Sequence, residues 1–111
     1  MVEADNGGLR YNEGKARVDL IPPDVLLALG KVYAYGTQKY ADRNWERGMS
    51  YSTVYGCLLR HILKWAAGEA ADAESGLPHI DMVVWNAMVL SAYEKRGIGT
   101  DDRNILKQEG G

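Results

Sequence analysis

Both histidines of the chain flank a polar connection that holds three acidic side chains. His61 precedes the connection, His79 follows it, and Glu69, Asp72 and Glu74 lie within it. Imidazole takes up or releases a proton near neutral pH, and carboxylates hold hard cations such as Mg²⁺ and Mn²⁺. The pattern predicts a site for a divalent ion and a phosphate-bearing ligand, in which His61 or His79 acts as the base.

The acidic residues of the connection are the predicted metal ligands. Glu69 and Asp72 are three positions apart, the spacing that places two carboxylates on one helical turn, and Glu74 follows them. We expect all three to hold Mg²⁺ or Mn²⁺ together with phosphate oxygens, and we also place Glu74 among the catalytic residues. An ordinary acidic loop is the alternative interpretation of this segment.

A second stretch, residues 36–51, is rich in side chains that recognise anions and flat rings. Cations contact phosphate oxygens, an amide pairs with the edge of a base, and aromatic rings stack on it. A tryptophan in a loop can equally anchor that loop to the core. The predicted ligand-binding residues here are Lys39, Tyr40, Arg43, Asn44 and Trp45.

Polar residues outside this stretch extend the predicted ligand site. Lys15 and Arg17 lie next to Gly14, where the backbone can approach an anion closely, although a solvated arm is the alternative. Arg60 adjoins His61, and a buried cation there needs an anion. Asn86 lies in an apolar helix and must find a partner, for which we expect His61 or the ligand.

Three helices must position these groups, at about residues 22–38, 51–67 and 78–96. Proline suits the first turn of a helix and glycine its end, and both residue types occur at these boundaries. The last two helices leave a short connection and should run antiparallel, so that both histidines face one groove. With an N-terminal arm and a short C-terminal helix, they form the predicted all-α bundle.

Apolar spacing predicts how the helices pack. The third helix is apolar nearly all round and should be central and buried. Gly30 costs its helix about 1 kcal/mol relative to alanine, which indicates a close helix crossing. Ser50 or Ser52 should cap the second helix. The predicted inward stripe of that helix is Val54, Cys57, Leu58, Ile62 and Trp65.

Length and charge exclude several classes of protein. A chain of 111 residues forms one domain, residues 1–111, and hides only about 65% of its extended surface, so another copy should cover what remains. We expect a homodimer or homotetramer with contacts at Gly30 and Trp85. The net charge of -2 argues against binding to a nucleic acid duplex. The single Cys57 indicates a reducing compartment, and the chain lacks a signal peptide and an apolar run that could span a membrane.

Several separated blocks resemble the phage-type dATP/dGTP diphosphohydrolase N-terminal domain family, for which a relation to the all-α MazG-like nucleotide pyrophosphohydrolases has been proposed. The blocks are LRYNEGKARVDLIPP, GTQKYADRNWERG, LLRHILKWAAGE, ESGLPHIDMVVWN and RGIGTDDR. The resemblance implies a helical, oligomeric enzyme of a phage or its host, and the reducing compartment indicated by Cys57 leads us to expect it in the cytosol. It implies that a purine nucleoside triphosphate such as dATP or dGTP is cleaved, with a divalent metal, to monophosphate and pyrophosphate. Positions that match the family motif are Lys15, Lys39, Tyr40, Asn44, Trp45, Arg60, His61, Glu69, Asp72, Glu74, Ser75, Gly76, His79 and Asn86.

One position departs from the family pattern. Met82 stands where the family usually shows a second histidine, and Asp81 projects from the other side of the helix and cannot replace it. The wider MazG-like signature is also incomplete, because only the pair Glu69 and Asp72 fits it. A nucleotide- or small-ligand-binding module that has lost catalysis is therefore the alternative function, and a purely structural helical protein is the third.

Overall fold

The computed structural model describes residues 14–103, and within them the protein is all-α with no strand. The predicted fold class is therefore confirmed, and each predicted helix agrees with an observed one to within two residues. Residues 100–103 are not helical, and the rest of the predicted C-terminal helix and most of the N-terminal arm lie outside the described residues. The helices are α1 (Pro23–Gly36), α2 (Tyr51–Ala66) and α3 (His79–Arg96), with 3-10 turns at Val18–Leu20 and Asn44–Arg47.

Helix α3 lies at the centre of the domain and packs against both α1 and α2. Its buried residues recur every three or four positions and so form one stripe along the helix. Ile80 and Val84, on other sides of α3, are partly exposed, so the helix is buried along this stripe and not all round. The stripe consists of His79, Met82, Asn86, Val89 and Tyr93.

Aromatic rings join the loop before α2 to this core. The Tyr93 ring stacks on Trp45 and on Tyr51, with ring centroids 6.2 Å apart in both pairs. The Tyr93 hydroxyl donates a hydrogen bond to the backbone carbonyl of Trp45. Trp45 therefore anchors its loop to the core, which is one of the two roles predicted for it.

The segment after α3 returns to the N-terminus of α2. Gly97 ends α3 in the left-handed conformation, and the Tyr51 N–H then donates to the Thr100 carbonyl over 2.8 Å. The Asp102 carboxylate accepts hydrogen bonds from the Ser52 N–H and hydroxyl. The cap of α2 therefore comes from Asp102. Ser50 occupies the N-cap position as predicted, but its side chain makes no capping bond, and the Ser52 hydroxyl donates to Asp102.

Helices α1 and α2 keep apolar side chains at the surface. Val32 is the buried residue of α1, and Trp65, expected to face inward from α2, is 50% exposed. Cys57 is only partly buried. A Cβ atom at Gly30 would meet nothing within 4 Å, so no close helix crossing forms there among the described residues. Trp85 packs its ring edge-on against Tyr33, within the chain.

Candidate active site

The connection between α2 and α3 is a compact turn without helical structure. The Asp72 N–H donates to the Leu77 carbonyl over 2.8 Å, and the His79 N–H donates to the Ala70 carbonyl over 2.9 Å. Gly76 takes the left-handed conformation that this reversal needs. The prediction that Glu69 and Asp72 share one helical turn is wrong, because both residues lie in this non-helical reversal of the chain before α3.

This reversal brings the two histidines into contact. The Nδ1 atoms of His61 and His79 are 2.9 Å apart, one contributed by α2 and the other by α3. The His79 side chain has no exposed surface, and its Nε2 lies 2.7 Å from Glu69 Oε2. The two imidazoles therefore come together as predicted, but of the two only His61 lines the groove described below.

The partners of His79 define where its proton lies. A carboxylate only accepts hydrogen bonds, so His79 donates its Nε2–H to Glu69, and in that tautomer Nδ1 carries a lone pair. His61 then donates its Nδ1–H to that lone pair. Burial, followed by the proximity of His79, lowers the pKa of His61, so its ring is neutral at pH 7.

Asp72 completes this group from the connection. Its Oδ2 accepts hydrogen bonds from the N–H and the hydroxyl of Ser75, each over 2.8 Å. The Ser75 N–H is the main cause that lowers the pKa of Asp72, which is therefore ionised at pH 7. Ligand atoms of His61, Asp72 and His79 all lie within 4.8 Å of one another. We call these three residues the His–Asp cluster.

A groove of about 510 Å³ lies beside the cluster, between α1, the loop before α2, and the facing sides of α2 and α3. His61 belongs to both the groove and the cluster, so a ligand in the groove can reach the cluster. Most of the predicted ligand-binding residues line the groove: Lys39, Tyr40, Arg43, Asn44, Trp45, Arg60 and Asn86.

The groove also has an apolar wall that the sequence analysis did not assign to the site. Val32, Tyr33 and Tyr35 come from α1, and Met82 and Trp85 come from α3. These residues carry only the apolar periodicity common to core positions, and the sequence has no signal that separates them from ordinary packing.

The cations at the groove already have acidic neighbours. Lys39 pairs with Glu74 at 2.5 Å, and this contact raises the pKa of the lysine and lowers that of the glutamate. Arg43 pairs with Glu46 at 3.2 Å, and Glu46 also pairs with Arg96. An anionic ligand at Lys39 must therefore compete with an exposed carboxylate, which is a weak partner in water.

Several predicted site residues lie apart from the groove or have other partners. Lys15 and Arg17 are exposed and do not line the groove, and Arg17 pairs with Asp19 at 2.9 Å. Asn86 donates its amide to the Met82 carbonyl over 2.8 Å, so the expected pairing with His61 is wrong. Among the described residues Glu69 and Glu74 fall outside the His–Asp cluster, because His79 and Lys39 engage them.

Fold and site together define a small helical domain whose groove combines cations, aromatic rings and an amide beside a pair of imidazoles and a carboxylate. The chain belongs to the family described as dATP/dGTP diphosphohydrolase, N-terminal, which it matches over residues 5–103. A dATP/dGTP diphosphohydrolase of Salmonella phage PMBT28 is 33% identical over 72 residues, which is 65% of this chain. The chain spans 24% of that relative's length. No solved structure matches the chain.

Among residues 14–103 no helix is long and apolar enough to cross a bilayer.

Proposed function

We propose that the groove binds a purine deoxynucleoside triphosphate and that the His–Asp cluster is where its α–β phosphoanhydride bond is hydrolysed, giving monophosphate and pyrophosphate. The observation that carries this proposal is the continuity between a groove lined by cations and aromatic rings and the contacting imidazoles of His61 and His79. The family and the name of the phage relative support a hydrolase that acts on dATP or dGTP.

The aromatic end of the groove would hold the base. Tyr40 is 60% exposed at the groove, so its ring is available to stack on a purine. Asn44 offers an amide with both donor and acceptor atoms for the edge of the base. Trp45 already contacts Tyr93, and we assign it to the wall beneath the base.

The basic residues would hold the phosphates. Lys39, Arg43 and Arg60 line the groove, and the arginines offer the planar fork that suits phosphate oxygens. A triphosphate would displace Glu74 from Lys39, exchanging a solvent-exposed ion pair for a contact within the groove. Lys15 is not needed for this arrangement.

The two imidazoles would then have different roles. His79 is fully buried, and both of its ring nitrogens have partners, so it cannot accept a proton from an attacking water. His61 reaches the groove and would orient the water toward the α-phosphorus. A divalent ion bound beside it would neutralise charge on the phosphate oxygens and lower the pKa of water.

Loss of catalysis with retained binding is the second candidate function. Met82, at the position of a family histidine, is buried and lines the groove, where it offers only a thioether. If that histidine were required for the reaction, this chain would bind nucleotide without cleaving it.

The test is incubation of the purified chain with dATP or dGTP and Mn²⁺, with monophosphate and pyrophosphate measured by chromatography. Hydrolysis by the wild type is expected, together with at least about a tenfold loss of kcat/KM in Arg60→Ala, since one charged phosphate contact contributes about 1.5–3 kcal/mol. Lys31→Ala is the control, because Lys31 is an exposed cation of α1 that does not line the groove. Calorimetric binding without turnover would select the binding module.

A further inference from the structure

The His–Asp cluster has the composition of a metal centre different from the carboxylate site that sequence spacing predicts. Two imidazole nitrogens and one carboxylate oxygen come together within 4.8 Å. Imidazole suits transition-metal ions such as Fe²⁺, Ni²⁺ and Zn²⁺, whereas Mg²⁺ favours oxygen ligands. We propose that His61, Asp72 and His79 form the primary shell of a transition-metal ion, and that Glu69 orients His79 from behind. This proposal deepens the proposed function and names the metal ligands of the same site.

The two nitrogens are close enough to bind one ion. Ligands that are 2.9 Å apart and each about 2.1 Å from an ion subtend an angle of about 90° at that ion. A tetrahedral site would place its nitrogens about 3.4 Å apart at the same bond length. The observed spacing is that of a hydrogen bond, and an ion such as Mn²⁺ would replace this bond once the His61 proton has moved to Nε2, with water and phosphate oxygens completing its coordination.

Neighbouring groups hold the ligands in the orientation that such a site needs. Glu69 accepts from His79 Nε2–H, and this carboxylate–histidine contact directs the Nδ1 lone pair toward the cluster. Ser75 fixes Asp72 through Oδ2, and within residues 14–103 no hydrogen bond engages Oδ1. One carboxylate oxygen thus remains for an ion.

The position of the cluster explains how the ion would meet the nucleotide. His79 is fully buried, so the ion would approach from the side of His61, which lines the groove. In this assignment His61 would act as a ligand and would orient the attacking water through the ion that it holds. Glu74 lies on Lys39 and takes no part in the ion's coordination.

In the experiment the metal-free 111-residue chain is titrated with Mn²⁺ alone. The concentration of free Mn²⁺ is monitored by electron paramagnetic resonance. The wild type should bind one Mn²⁺ per chain. Asp72→Asn, which keeps an acceptor for Ser75, should weaken binding at least about 100-fold, and Glu69→Gln about 10–100-fold. Glu74→Gln is the matched control and should bind as the wild type does. Retained helical circular dichroism shows that each variant is folded.

The possible outcomes separate this inference from the proposed function. Absence of Mn²⁺ binding by the wild type, binding lost in Glu74→Gln but kept in Asp72→Asn, or equal competition by Mg²⁺ would each overturn the metal assignment. Mn²⁺ binding that depends on Asp72 without hydrolysis of dATP or dGTP would uphold the assignment and refute the enzyme. Hydrolysis that survives Asp72→Asn would uphold the enzyme and refute the metal assignment.

Discussion

His79 illustrates how one side chain supports a site that it does not present to solvent. It has no exposed surface, yet it joins an imidazole of α2 to a carboxylate of the connection through its two nitrogens. Buried polar groups are tolerated only when their hydrogen bonds are made, so each of these three side chains depends on the others.

Replacement of His79 should therefore destabilise the fold more than replacement of His61. His79→Leu fills similar space but leaves Glu69 and His61 without their partner, at a cost of about 1–3 kcal/mol in the free energy of unfolding. His61 is only partly buried, and water can replace its contact with His79 in His61→Ala. Urea unfolding followed by circular dichroism measures both free energies, and an equal cost would contradict this account.

The sequence predicted which residue types make up the candidate site, but it did not predict which of those side chains contact one another. The spacing of Glu69 and Asp72 suggested shared coordination, whereas the turn between α2 and α3 sends Glu69 to His79 and places Asp72 beside His61. Such a turn is defined by backbone hydrogen bonds that no side-chain pattern records. Helical spacing therefore gave the wrong arrangement of Glu69 and Asp72, whereas the short connection between two antiparallel helices correctly predicted that the histidines meet.

At the scale of elements, α2 depends on a segment 50 positions away in sequence for its N-terminal cap. Prolines and glycines made the helix boundaries predictable because they act locally on the backbone. The contact between Ser52 and Asp102 depends on tertiary structure, and the local serines were the only caps that sequence could suggest.

The contribution of this cap to stability should depend on pH. The Ser52 hydroxyl and N–H lower the pKa of Asp102, so its stabilising effect is fully present above its unfolded pKa of about 3.9. That effect disappears as the pH falls through the still lower folded pKa. Asp102→Ala should lower Tm by a few degrees at pH 7, and the difference should shrink below about pH 3. Asp42→Ala, at an exposed acid outside this contact, is the control in differential scanning calorimetry.

The approach of the segment after α3 to the start of α2 requires a glycine at position 99. Gly99 has a φ of +79°, and a Cβ there would lie 2.6 Å from the Met49 carbonyl oxygen. Gly76 has a φ of +76° but open space around it, so Gly76→Ala measures the backbone cost alone, about 1–2 kcal/mol. Gly99→Ala should lower the free energy of unfolding, measured with urea, clearly more than Gly76→Ala does. Equal losses would show that the Met49 backbone moves aside without strain.

At the scale of the whole molecule, apolar side chains of α1 and α2 remain at the surface. Leu27 is 72% exposed and Leu63 is 64% exposed, and Leu26 and Trp65 are each half exposed. Soluble proteins rarely leave large apolar patches uncovered. The expected contact at Trp85 is less suitable, since that ring already packs against Tyr33.

We predict that copies of this chain associate through the exposed apolar faces of α1 and α2. Analytical ultracentrifugation should show a dimer or tetramer for the wild type, because covering these side chains removes apolar area from water at about 25 cal/mol per Å². Leu63→Glu should shift the population toward monomer with its helical content unchanged. Gln38→Glu changes the charge by the same amount at an exposed polar site and should leave the assembly intact. A monomeric wild type at high concentration would refute the prediction. If the Leu63→Glu assembly keeps the mass of the wild-type assembly, the interface does not include this part of α2.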